Sequence, residues 1–171
     1  MATLTAFRFD TVDGADSALG VVPMLQEQQL LAVLDAAVVS WPKGKTRPST
    51  RQVVLPTGTQ LLDGTFWGLL FGLIFFVPVL DAGRREEMDR LTSALSDVGI
   101  DENFIYQVRS KLTEGTSALF ILSRDAVMDK INDAAKGKKP DLIAINLRRD
   151  EEMKLRNLFG PASTMPTGRP S

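Results

Sequence analysis

Cysteine and histidine are both missing from this chain of 171 residues. The first absence removes disulfides, thiol nucleophiles and thiolate metal ligands; the second removes imidazole ligands and every triad that uses histidine as its base. Chemistry is left to carboxylates, hydroxyls and amines. An excess of charge of one sign is lacking too, since 20 Lys and Arg face 21 Asp and Glu, for a net charge of −1. That balance gives no electrostatic ground to expect nucleic acid or an anionic membrane surface as a partner. Met1 to Asp10 offers neither a basic start nor an apolar h-region, so a signal peptide is not expected and a cytoplasmic location is the default.

What is present is ordinary globular material with one exception. At 44% hydrophobic and 24% charged, residues 1–159 can bury a real core as one α+β domain. The exception is an apolar insertion at 61–83. From Gly64 to Leu80 the sequence GTFWGLLFGLIFFVPVL carries no charge at all. As a helix, Phe66 to Leu80 reaches roughly 22 Å, short of the ~30 Å hydrocarbon core of a bilayer, and Pro78 disturbs its last turn. Gly64, Gly68 and Gly72 recur every fourth residue and make one smooth face. Opposite them stand Phe66, Trp67, Leu70, Phe71, Ile74 and Phe75, so the spacing predicts a helix with a close helical partner.

Around the insertion the chain alternates strands and helices. Thr3–Phe9 reads as a strand, and Ala15, Ala18, Leu19, Val22 and Leu25 as an amphipathic helix that kinks or ends at Pro23. Leu30–Trp41 and Arg51–Leu55 form a hairpin across the basic loop PKGKTRPST. Within that loop Gly44-Lys45-Thr46 matches the end of a phosphate-binding loop, but Val39 stands where its first glycine belongs, and a solvated loop accounts for the triplet. Beyond the insertion, Met88, Leu91, Leu95 and Val98 stripe a charged helix that Gly99 ends. Asp101 caps the next helix, whose inner face is Phe104, Ile105, Val108 and Leu112. Ser117–Ser123 is apolar throughout and reads as a central strand buried on both faces. A helix from Asp125 to Gly137, a strand Asp141–Leu147, and a last helix Asp150–Phe159 packing through Met153, Leu155 and Leu158 complete the domain. Residues 160–171 cannot bury anything and are expected to be disordered or pinned to a surface.

Candidates for catalysis are few. Asp97, Asp101 and Glu102 cluster, but the last two belong in a first helical turn for the sake of the helix dipole. Arg109 and Lys111, near Tyr106, suit the end of the same helix for the same reason. No catalytic, cofactor or metal residues are assigned, and an enzyme is not expected.

The order of elements fits a ferredoxin-like antiparallel sheet with helices on one face, interrupted by the apolar glycine-rich helix and the amphipathic helix after it. Such a sheet leaves one face bare, to be covered by the insertion or by a second subunit. Ser96-Asp97, Gly99-Ile100-Asp101, Phe104-Ile105 and the run Gly115 to Phe120, with Asp35–Val39 and the GTFWGLLFGLIFFVP block, resemble a bacterial domain-of-unknown-function family. The likeness covers most of Leu4 to Leu147. It implies a predicted membrane protein with a glycine-rich apolar middle, and it carries no catalytic residues. Where that family continues into a second small-residue apolar helix, this chain has the charged RREEMDRL, which weighs against a membrane hairpin. Two readings follow. The first is a non-catalytic structural protein that assembles with copies of itself into a ring, shell or larger particle through the glycine-rich helix. The second is a cytoplasmic α+β domain held at the inner face of a membrane by the same helix, with lipid as its partner.

Overall fold

A computed structural model describes residues 2–30, 32–53, 64–76, 85–124 and 141–159. Its centre is a five-stranded antiparallel sheet built from β1 (Ala2–Phe9), β2 (Ala32–Ser40), β3 (Ser49–Val53), β4 (Ser117–Arg124) and β5 (Asp141–Leu147). The spatial order is β3-β2-β4-β1-β5. The apolar run Ser117–Ser123 therefore takes the middle place expected of it, and every residue of it is buried. Both β1 and β2 run antiparallel to β4, from Phe9↔Ser117 to Ala2↔Arg124 on one side and from Ser40↔Ser117 to Ala32↔Arg124 on the other. They are thus parallel to each other, and the chain crosses between them through α1 (Gly14–Leu19) and α2 (Val22–Glu27). The arrangement fits a split βαβ unit with β3 added on an edge.

Alternation along the strands sends side chains to two cores. Leu4, Ala6, Ala37, Val39, Ala118, Phe120 and Leu122 face one way. Phe7, Ala36, Val38, Leu119 and Ile121 face the other, where Ala15, Val22 and Leu25 of α1 and α2 meet them. The first face is covered by α3 (Gly64–Phe71) with its continuation Gly72–Phe76, by Leu95 and Val98 of α4 (Arg85–Asp97) and its end, by α5 (Glu102–Lys111), and by Leu155 of α6 (Arg149–Phe159). Helices lie on both faces, and of the two covers expected for the second face it is the insertion that is found. The apolar insertion supplies cover from within the chain, so a bare sheet no longer argues for a second subunit.

Local differences from the sequence reading have plain causes. The single helix expected around Pro23 is two helices, parted at Gly20 and Val21. Proline sits in the first turn of α2, where the missing N–H would have had no helical partner anyway. On α6 Leu155 is buried, while Met153 and Leu158 are 58% and 60% exposed. At the start of that helix the exposed Arg148 donates to Asp150, and this hydrogen bond holds the Asp150 carboxyl below its ordinary range. The expected helix 125–137, the residues from Val77 to Leu80 and the tail 160–171 lie outside the described residues.

Asp101 caps α5 as anticipated, its Oδ1 accepting from the Phe104 amide at 3.0 Å. Gly99, at φ +94°, turns the chain out of α4 just before it. An N-cap aspartate is worth about 1 kcal/mol over alanine. Asp101→Ala is accordingly expected to lower the unfolding free energy by that amount, read as a lower urea midpoint with no change in slope. An unchanged midpoint would count against the cap.

Candidate functional site

The thirteen residues Gly64–Phe76 hold no charged side chain. Glycine at every fourth position and bulky apolar groups elsewhere let the helix press one side onto the sheet. Phe66, Trp67, Leu70, Phe71 and Ile74 are buried there, and Phe75 is half-buried. Their rings form a connected set. Trp67 stacks on Phe71 at 5.7 Å, and Phe71 meets the edge of Phe120 on β4 at 5.1 Å. Phe66 packs edge-on against Trp67 at 4.9 Å, and Phe75 reaches Trp41 at 5.9 Å. Distances and tilts of this kind are the favourable ones for aromatic pairs.

The other side of the helix carries the glycines. Apart from the helix's own backbone, a Cβ built on Gly68 or on Gly72 would meet no atom of the described residues within 4 Å. Gly68 is exposed and Gly72 half-buried, with the half-buried Leu69 beside them. Gly64 opens the helix. Of the nine residues singled out in the sequence, the six bulky ones pack inside their own chain, Gly68 and Gly72 lie on the opposite side of the helix, and Gly64 stands at its start.

From Gly72 to Phe76 the helix widens into a π turn. Such turns are uncommon and need support from outside the helix. Here the Arg109 guanidinium gives it, Nε donating to the Ile74 carbonyl at 3.0 Å and Nη2 donating to the Leu73 carbonyl. Sequence reasoning placed Arg109 at the end of α5 for its dipole and missed this contact.

Sequence reasoning also passed over Asp35. Its carboxylate is fully buried beneath α3. A bulge between Val33 and Asp35 sets Asp35 opposite Leu122, and so on the face that α3 covers. Trp67 Nε1 donates to Oδ1 at 3.2 Å, Gln52 Nε2 donates to Oδ1 and Oδ2 at 3.1 and 3.3 Å, and the Ala36 amide donates to Oδ1 at 2.8 Å. A buried carboxylate is costly unless donors surround it, and these come from β2, β3 and α3. The signal was available: an acidic residue inside the apolar run LLAVLDAAVV. Among the described residues no three carboxylates gather in a way that could hold a metal ion.

A family model described as protein of unknown function (DUF1269) matches residues 61–160. The matched stretch takes in α3 to α6 with β4 and β5, and leaves out β1 and β2 with Asp35. No curated protein and no solved structure matches the chain.

Proposed function

We propose, for a chain that belongs to the DUF1269 family, a non-catalytic structural role in which copies of it assemble through the glycine face of α3. The observation that carries this reading is that, on an otherwise apolar helix, a Cβ at Gly68 or Gly72 would meet no atom of the described residues. Glycines four apart allow two helix backbones to approach closely, and nothing within the described residues of the chain uses that approach. Exposed glycine is also expensive in a helix, by roughly 0.5–1 kcal/mol each relative to alanine. Two in one stripe that the described residues leave open are better accounted for by a neighbour than by local structure.

Lipid is the competing occupant. Among the described residues no helix is long and apolar enough to cross a membrane. Insertion of α3 would also strip Trp67, Phe71 and Ile74 from the core they fill. The assembly reading keeps that core whole.

Gly68→Leu and Gly72→Leu test it, because at the Cβ neither side chain meets an atom of the described residues. The folded chain should keep its stability or gain roughly 0.5–1 kcal/mol. Sedimentation of the detergent-free wild type should give a particle well above the 18.7 kDa of one chain, and either leucine should return it toward that mass. A wild type that is monomeric at tens of micromolar, or a particle indifferent to both substitutions, overturns the proposal. Recovery of the chain only in carbonate-resistant membranes would turn the reading to lipid.

A further inference from the structure

We propose that Asp35, acting through Trp67, sets the rotation of α3 about its own axis and so decides which side of a nearly uniformly apolar helix faces outward. The sequence Phe66 to Phe76, FWGLLFGLIFF, is apolar on every side. An ordinary surface helix is oriented by its contrast between apolar and polar faces. This one has little contrast. Turned toward Leu69 and Leu73 it would still set large apolar groups on the sheet, while turned the opposite way it would bring Gly68 there.

A directional contact must break that near-degeneracy, and the polar side-chain atom this segment offers is the indole Nε1 of Trp67. It donates to a carboxylate fixed in the floor by β2, by the amide of Ala36 and by Gln52 of β3. A buried acceptor of this kind adds little net stability but penalises arrangements that leave it short of donors. Arg109 cannot do the same. Its partners are the backbone carbonyls of Leu73 and Ile74 near the end of the segment, and a rotated helix would present others of the same kind. Asp35 and Trp67 are therefore positioning residues. They keep Gly68 outward whether or not a second copy meets it.

The absence of cysteine makes the test direct. Two single-thiol variants are compared: Gly68→Cys, on the outward side, and Leu70→Cys, at a fully buried position on the far side of the helix. Both are read in a Gly72→Leu background, which blocks close approach of another chain. With Asp35 and Trp67 intact, the outward thiol should react with a thiol reagent on the order of 100-fold faster than the buried one. Adding Asp35→Leu with Trp67→Phe removes acceptor and donor together. The double variant should unfold cooperatively, yet the ratio of the two rates should drop below about 10. A ratio that stays near its starting value overturns the inference. Trp67→Phe alone keeps an aromatic ring and removes the N–H, so it serves if the double variant does not fold: the ratio should then fall several-fold, and no fall overturns the inference equally. Because the readout lies within one chain, it can fail while assembly stands, or hold while assembly fails.

Discussion

Phe120→Ala is expected to destabilise the chain by roughly 3–5 kcal/mol, a large share of the 5–15 kcal/mol that a domain commonly has. Phe120 is fully buried at the middle of the central strand. Its ring touches Phe71 at 5.1 Å and Trp67 at 6.4 Å, so it is the point at which the sheet and α3 interlock. Truncation removes the transfer free energy of the ring and leaves a void that neighbours held by both sheet and helix cannot close. Equilibrium urea unfolding followed by circular dichroism measures the loss. Phe120→Leu, which refills part of the volume, should recover more than half of it. A loss under about 1 kcal/mol for the alanine variant would mean that α3 is not seated on β4 in the way described.

The second large effect is Gly14→Ala. In a helix this exchange ordinarily stabilises by roughly 0.5–1 kcal/mol, and at Gly14 the sign should reverse. A Cβ there would lie 2.5 Å from Phe9 Cβ and 2.9 Å from both Phe9 Cγ and Thr11 Oγ1. Phe9 Cβ is fixed to the backbone at the end of β1 and cannot swing aside as the tip of a long side chain could. Either α1 or the strand end must move, and a net cost of about 2–3 kcal/mol is expected. Gly20→Ala is the control, since its nearest atom is the Ser17 carbonyl oxygen at 3.4 Å. Thermal unfolding of the two variants side by side should show a large drop in the first and little change in the second. Equal behaviour would refute the close approach of α1 to β1.

The periodic elements were legible because burial imposes a simple rhythm on them. Ser117–Ser123, apolar on both faces, could be little else than a central strand, and Asp101 followed by Phe104 and Ile105 announced a capped helix. The hairpin of β2 and β3 followed from two β-rich runs either side of a Pro, Gly and Lys loop. Alternation failed inside β2. The bulge changes the parity, so Val33 lies on one face with Ala36 and Val38 instead of with Ala37 and Val39. A count by twos back from Val39 and Ala37 does place Asp35 on the face under α3; what it cannot register is the extra residue that turns Val33 to the other side. The aromatic residues of the insertion read as a packing face, with the sheet or a second subunit equally open as its partner. A helix with no polar side carries no sign of which surface it covers. Arg109 is a further case: its contact spans 35 residues in sequence, and its place at a helix end already sufficed to explain it.

The strand order has a consequence for how the chain is made. β1 and β2 are not neighbours; each awaits β4, which joins them. Until the ribosome has released residues beyond Arg124, the only pair available among the described strands is β2 with β3, and the oily segment from Gly64 has no finished floor on which to settle. Its aromatic side must wait bare while about fifty further residues are synthesised, a few seconds at common elongation rates. The nascent chain is therefore most in need of chaperone shelter in that interval, well after the segment itself has emerged.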